Sequence, residues 1–578
     1  MVGDWITGFL QLTSNLNTLP ADKSIIFDIA MILIISAIFA FIARSLKQPL
    51  IPAYVITGLI AGPLVFGLVK NTSLIYAFSE IGIAFLLFTA GLEISFKKIK
   101  EANLKKIFLI GFFQVILVFL IAFFAGKLIN LNLIQSVYIG IILAFSSTMV
   151  VVKLLSDKNE LVTMHGRLIL GILLLQDLFA IFAVAILMSN DVSISLVVGA
   201  LLKLLSIIAI AFILHLFVLN KLFRFAARSL ELLLLSSLAV LFLFVLLAYF
   251  FNLSIVIGAF IAGISLANSQ FKLELESRIS SLRDFFAILF FVSLGMQIVL
   301  TNISSTFNLL IFMFLGAILV KPFITLILLR VSGYRPKTSF LTALSLGQLS
   351  EFSLIIGMIG LSFNVFDSTS FSAIVLVTMI SITLTSYSIK YENHLYLFFR
   401  KPLKMLRFLP VKENLEYIDK KEKTVLLIGC HRMGSVLLKE LIKDKDDIIV
   451  IDHNPEIVNS LIKKKISCIY GDLSSPEILD NLELEKFNLV ISTLPNEEDN
   501  LFLLKKIKHK NRKTKVILTA DKIDDALGLY AKGADYVILP KVIAGEELSQ
   551  IINESSRNLE IDKKKHIQKL KNIHNILY

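Results

Sequence analysis

Cysteine, tryptophan and charge are all scarce in this chain. Two cysteines, Cys430 and Cys468, stand in 578 residues. Two cannot build a disulfide framework, which points to a reducing compartment. Only 17% of residues are charged, against about a quarter in ordinary soluble domains, and 56% are hydrophobic. The mean hydropathy of +0.80 excludes a soluble globular protein as a description of the whole chain. Residues 1–23 lack a basic n-region and an A-x-A site, so no cleavable signal peptide is expected.

What is present is a long series of apolar runs. Thirteen are read, over about 25–44, 50–69, 74–96, 106–127, 134–155, 163–189, 193–219, 230–250, 253–269, 284–300, 307–331, 339–363 and 371–390. Lys and Arg concentrate in alternate loops: Arg44 and Lys47, Lys97 to Lys106, Lys153 to Arg167, Lys221 to Arg228, Lys272 to Arg283, and Arg330 to Lys337. The positive-inside rule then puts the N-terminus outside and the C-terminal part in the cytoplasm. The net charge of +13 lies in these loops and in the tail, and no nucleic acid partner is inferred from it. Thirteen spans are more than an enzyme anchor needs; in a transporter they build the pathway.

Three features inside the runs are costly in lipid. Asp177 stands near the middle of the sixth, in Gly166-Arg167 through Gln176-Asp177. A carboxylate at the bilayer centre costs roughly 2.5–3.5 kcal/mol on insertion scales and marks an ion or proton path. We read Asp177 as a carrier site that takes a cation or a proton but not both. Lys321 lies nine residues before Arg330, about 13 Å along a helix, too deep for easy snorkelling. Gln176, Asp177 or an unwound carbonyl are its candidate partners. The third feature is a pair of interruptions: Phe145-Ser146-Ser147-Thr148 in the fifth run, and Ser345 through Gly347, Gln348, Ser350 and Glu351 in the twelfth. Polar clusters at membrane depth, in corresponding positions of two halves, point to unwound helices lining a transport site. The blander alternative is hydroxyls bonding their own helix carbonyls. Gly58 and Gly62, and Gly258 with Ala262 and Gly263, have the small-residue spacing of close helix contact.

Beyond Tyr391 the composition becomes polar, with a linker over 391–422. Val425 to Ile428 followed by Gly429-Cys430-His431-Arg432-Met433-Gly434 reads as strand, tight turn and helix start, and a second strand ends at Asp452. That is the context of a dinucleotide fingerprint, the acid being placed for a ribose hydroxyl. His431 replaces its second glycine, which narrows the approach to a pyrophosphate. Further strands end at Asp472, Thr493, Ala520 and Pro540, giving a parallel Rossmann sheet. A Rossmann module without ligand is the alternative. Residues 555–578 read as a basic amphipathic helix.

Taken together, the motifs resemble the monovalent cation:proton antiporter-2 family, with its Kef-type potassium efflux systems and bacterial sodium/proton antiporters. The likeness is carried over residues 25–390 by Gln48-Pro49 through Gly62-Pro63, Ser79-Glu80-Ile81-Gly82 through Glu93, Phe145 to Thr148, Gly166 to Asp177, Gly258 to Gly263, Phe290-Phe291 through Gly295-Met296, Lys321, and Gly347 to Phe352. The tail is similar to TrkA-N/RCK regulatory domains over 423–540. The resemblance implies a polytopic all-α membrane domain with inverted repeats and two crossed discontinuous helices, plus an α/β Rossmann-type domain. It implies an extracytoplasmic segment over 1–24, a membrane domain over 25–390, a nucleotide-binding domain over 423–545 and a C-terminal helix over 546–578. It also implies a homodimer in the plasma membrane working by alternating access. The ion and proton site falls at Asp177, with Gln176, Ser146, Ser147, Thr148 and Lys321 around it. Gln176 stands where electrogenic members carry a second aspartate, which favours potassium over sodium. Gly429, His431, Arg432, Met433, Gly434, Asp452, Asp472 and Thr493 would bind NAD(H) or an adenine nucleotide as a regulatory ligand without redox chemistry. No metal beyond the transported cation is expected. Two other classes compete. A membrane-anchored NAD-dependent oxidoreductase has no use for Asp177 or Lys321. A potassium channel needs a T-x-G-Y-G filter, and Val331-Ser332-Gly333-Tyr334 does not supply one.

Overall fold

The computed structural model describes residues 21–46, 48–69, 72–93, 104–158, 160–187, 194–227, 229–251, 253, 255–267, 269–299, 303–403, 416–419, 423–444, 447–471, 479 and 482–554. The chain divides into two compact units, 1–161 with 165–410, and 162–164 with 411–578. Asp472 and the helix expected over 555–578 lie outside the described residues.

Among its described residues the first unit is built of helices. Among the described residues, ten helical stretches are long and apolar enough to cross a membrane, and three shorter apolar helices, Ile51–Ala61, Ile255–Leu266 and Glu351–Ser362, account for the remaining three of the thirteen runs. Leucine, isoleucine and phenylalanine dominate these stretches because a helix satisfies every backbone group internally and leaves only side chains to meet lipid. Accordingly Phe41, Phe212, Phe217 and Leu235 project outward, 64–76% exposed.

Two groups of helices pack within this unit. In one, Thr72–Glu93 packs on Lys272–Met296 and Ile255–Leu266, and Ile51–Ala61 packs on Lys272–Met296. Glycines let the backbones meet. A Cβ on Gly58 would come within 2.0 Å of the Val292 carbonyl oxygen, and one on Gly263 within 2.1 Å of that of Phe88. Gly58 and Gly263, read from sequence as packing positions, are thus required at their crossings. In the other group, Leu104–Leu128 packs on Leu133–Ala144 and Lys321–Val331, and Glu351–Ser362 packs on Leu133–Ala144 and Ser368–Lys390.

Three of the runs depart from continuous α-helix in this second group. The fifth is two half-helices, Leu133–Ala144 and Thr148–Asp157, and the twelfth is Pro336–Ser345 and Glu351–Ser362. The eleventh contains a π turn over Gly316–Val320 just before Lys321. Pro322 explains it: with no N–H to give to the preceding turn, it leaves the ladder one bond short, and the helix widens locally.

Part of the stretch expected to be a plain linker is a helix, Glu392–Leu403, which packs on Pro336–Ser345 and Ser368–Lys390. Its polar composition hid two apolar anchors, Tyr396 and Leu403, both buried. The tenth run also begins earlier than its hydropathy suggests. The helix starts at Lys272, so Arg283 is helical instead of lying in a loop.

The second unit is built on a seven-stranded sheet of order β1-β4-β3-β2-β5-β6-β7, from β1 (Glu416–Tyr417), β2 (Val425–Ile428), β3 (Ile448–Asp452), β4 (Cys468–Tyr470), β5 (Leu489–Ser492), β6 (Lys515–Thr519) and β7 (Tyr536–Ile538). All pairs are parallel except β1 with β4. Without its antiparallel edge this is the doubly wound order, with the switch point between β2 and β5. Helices on both faces cover the sheet, and every residue of β2 and β3 is buried.

Candidate functional site

The two interrupted helices cross at their breaks. In the first, Phe145 takes an extended conformation after Ala144, and Ser147 caps the helix that restarts at Thr148. In the second, Ser350 caps the helix that restarts at Glu351. Each break frees backbone groups, and the other break helps to satisfy them. Ser146 Oγ donates to the Leu346 carbonyl at 2.9 Å, and Gln348 Nε2 donates to that of Ser147 at 3.1 Å. Thr385 Oγ1 donates to the Gly347 carbonyl at 3.1 Å. Gly347 has no room for a side chain, since a Cβ there would meet Pro322 Cγ at 2.9 Å.

Lys321 is fully buried. Its ammonium donates to the carbonyls of Phe145 at 2.5 Å and Gln348 at 2.7 Å. Of the partners its sequence allowed, the unwound carbonyls are the ones it takes. These carbonyls follow the C-terminal ends of the two upstream half-helices, where the dipoles are negative. One cation thus stabilises both breaks.

The downstream half-helices begin nearby with their positive ends, and carboxylates gather there. Thr148 Oγ1 donates to Asp177 Oδ2 at 2.9 Å. Ser147 Oγ donates to Glu351 Oε1 at 2.6 Å. Asp177, Glu351 and Thr148 line one cavity with Leu86, Leu87, Phe352 and Ile355. The cavity thus brings two carboxylates and a hydroxyl together among apolar side chains.

Gln176 points elsewhere. It is fully buried; its Oε1 accepts from the Ser146 backbone N–H at 2.9 Å, and its Nε2 donates to Gln114 Oε1 at 2.6 Å. It therefore braces the first break and is absent from the cavity lining. The reason is geometric: residues adjacent on a helix face different directions. Gln114 was missed in the sequence, although a lone amide in the apolar run Phe112-Phe113-Gln114-Val115 was a visible signal. Arg283, which also lines the cavity, was missed because it was counted as a loop charge.

In the second unit, the turn after β2 matches the expected strand, turn and helix. Gly429 has φ +81°, and a Cβ there would strike Thr493 Oγ1 at 2.4 Å. A Cβ on Gly434 would approach the Gly429 carbonyl oxygen to 1.9 Å. His431 is exposed at the mouth of the turn, and the Arg432–Asp444 helix starts from it, with Met433 half-buried. The N-terminal end of such a helix is the kind of place where a phosphate binds. Asp452 and Thr493 are engaged differently from expectation. Asp452 is 3% exposed, and its two oxygens accept from the backbone N–H groups of Cys430 at 2.6 Å and Asn454 at 2.7 Å. Thr493 Oγ1 donates to the carbonyls of Ile428 and Gly429. Both hold the turn in shape, and a ribose would have to share Asp452 with these donors. Burial, reinforced by the Asp452 carboxylate, pushes the Cys430 thiol up to about 12, so it carries no thiolate chemistry at neutral pH.

Comparison with known proteins agrees with this division. The sodium/hydrogen exchanger transmembrane family matches residues 30–391, and the TrkA-N domain matches residues 425–540. The chain is 26% identical over 514 residues to the glutathione-regulated potassium-efflux system protein KefC of Klebsiella pneumoniae, covering 86% of this chain and 80% of the relative. It is 27% identical over 507 residues to KefC of Escherichia coli K12, with the same coverage. The sodium proton antiporter MjNhaP1 from Methanocaldococcus jannaschii superimposes with a TM-score of 0.50 at 18% identity, over 65% of this chain and 98% of that one, a likeness of fold. These relatives are transporters, so the oxidoreductase alternative falls. The chain belongs to the sodium/hydrogen exchanger family of cation:proton antiporters and carries a C-terminal TrkA-N domain.

Proposed function

We propose that the chain exchanges a monovalent cation, potassium in preference to sodium, for protons by alternating access at Asp177, under the control of a nucleotide bound to the TrkA-N domain. The observation that carries this reading is the Thr148 hydroxyl on Asp177 at the start of a half-helix, inside a cavity at membrane depth. A hydroxyl can donate to an ionised carboxylate and accept from a protonated one, so Thr148 serves Asp177 in both states. A proton or a cation each neutralises Asp177. The loaded site can then pass the apolar rim, while the empty site is held back by the cost of carrying a net charge into apolar surroundings. Lys321 keeps the two breaks in register during this exchange.

Potassium is favoured by the absence of a second aspartate at Gln176 and by the potassium-efflux names of the relatives. An outside N-terminus and a cytoplasmic tail are our reading of the loop charges, and the plasma membrane and a homodimer are taken from the family resemblance. NAD(H) or an adenine nucleotide fits the turn at Gly429 to Gly434 through its phosphates at the helix start. When bound it supplies charge and rigidity, not electrons. Around it Asp452 fixes the turn and His431 narrows the entrance.

The test is proton flux in proteoliposomes with an internal pH dye at zero membrane potential, adding potassium and then sodium. A response to potassium alone supports the reading, and a response to sodium alone replaces potassium by sodium. No response to either cation, with or without nucleotide and after removal of residues from about 415 onward, overturns it.

A further inference from the structure

The cavity that holds Asp177 holds a second carboxylate. Glu351 is the first residue of its half-helix, where the dipole favours an anion. Its Oε1 accepts from Ser147 at 2.6 Å, and its Oε2 is 3.5 Å from Ser350 Oγ. Ser147 and Thr148 are consecutive, and each holds one of the two carboxylates. Capping the helix is not what Glu351 is needed for, because Ser350 Oγ already accepts from the Phe352 N–H at 3.2 Å.

Arg283 lines the same cavity from the Lys272–Met296 helix, which belongs to the other group of helices. It is the one cation among the described lining residues. Its guanidinium also lies 2.9 Å from Asp284 Oδ1, whose side chain is 65% exposed, so water screens that pair. Three formal charges therefore face one space: Asp177 and Glu351 negative, Arg283 positive.

We propose that Glu351 is a second cation-binding carboxylate of the transport site and that Arg283 is its counter-charge, so that the ionised site carries one net negative charge and takes one alkali cation. This rests on the reading of Asp177 as the carrier. With Glu351 neutralised, Asp177 and Arg283 cancel, and an arriving cation meets no net attraction. With Arg283 neutralised instead, the site holds two negative charges and binds its cation more tightly. Neutralising both restores one negative charge.

The experiment measures proton flux against potassium concentration for the full chain in proteoliposomes, in wild type, Glu351→Gln, Arg283→Gln and the double variant. Glu351→Gln is expected to raise half-saturating potassium by about tenfold, Arg283→Gln to lower it, and the double variant to return within about threefold of wild type, the size of coupling seen between interacting charges. Glu351→Asp, which keeps the charge, recovers part of the affinity lost in the Gln variant and separates charge from folding. An unchanged half-saturation in Glu351→Gln, or a double variant no better than Glu351→Gln alone, overturns the proposal. An inactive wild type, or normal exchange by Asp177→Asn, overturns instead the reading of Asp177 as the carrier.

Discussion

Asp177 in the membrane unit and Asp452 in the soluble unit are both conspicuous in the sequence, and the two units use them in opposite ways. Asp452 accepts two backbone N–H groups. Such donors cannot rotate away or turn into acceptors. Asp177 accepts from the hydroxyl of Thr148, which can reverse its role when the carboxyl gains a proton. The first arrangement fixes a shape. The second suits the exchange of load proposed for Asp177. A carboxylate at a motif position is therefore not yet a ligand-binding group: the chemistry of the donor that meets it decides.

The sharpest break in this comparison is Asp177→Asn. The amide keeps the volume and can still accept from Thr148, so melting should stay within about 3 °C of wild type, while exchange falls to the level of empty liposomes. Normal flux would remove Asp177 from the mechanism. Lys321→Met comes next. It leaves the carbonyls of Phe145 and Gln348 without their ammonium, in a place with little water. Unfolding should become easier by about 2–4 kcal/mol, the cost of unsatisfied buried acceptors, measured as the denaturant or thermal midpoint in detergent. A variant as stable as wild type would show that the two breaks do not depend on this cation.

Much of this architecture was legible in the sequence, and the reason is specific to lipid. Long apolar runs, loop charges and polar interruptions are large signals because each violation is costly in the bilayer, so the breaks at Phe145 to Ser147 and Leu346 to Ser350 could be read directly. Partner choice was not legible. Lys321 had three candidate partners, and only the crossing of two helices distant in sequence selects the carbonyls. Gln176 shares a motif with Asp177 yet turns to Gln114, because one step along a helix changes the face. Arg283 was hidden by its neighbours: Lys272-Leu273-Glu274-Leu275-Glu276 reads as a loop by hydropathy, although it begins a helix. In the Rossmann unit the strand and turn pattern carried the fold, but the bonding of Asp452 depends on the Cys430 and Asn454 backbones.

Asp452→Asn tests the soluble side of the comparison and should cost less than the loss of Lys321. The asparagine oxygen can accept from one of the two N–H groups, and its amide nitrogen then confronts the other. A loss of about 1–2 kcal/mol, for one unmet donor, is expected in the unfolding of the full chain, confined to the transition of the soluble unit. If Asp452 instead served only a ribose, stability would be unchanged and nucleotide binding alone would fall.

An effect confined to neutral and alkaline pH concerns a carboxylate with a third kind of surrounding. Glu392 follows the last span, Ser368–Lys390, and is paired with Lys158, the residue that ends the Thr148–Asp157 half-helix. Lys158 also donates to the Ile389 carbonyl at 3.0 Å and lies 3.4 Å from Glu160, which in turn is 3.2 Å from His165 Nε2. Burial, helped by the Glu160 carboxylate and opposed by Lys158, pushes Glu392 from 4.5 up to about 7. A raised pKa means that the folded form prefers the proton. Its contribution to stability is complete below pH 4.5 and is lost as the pH rises to about 7. Glu392→Gln imitates the protonated form, so parent and variant should melt together at pH 5. By pH 8 the variant should be the more stable by about 1–3 kcal/mol. A difference that stays flat across this range would mean that Lys158 outweighs burial at Glu392.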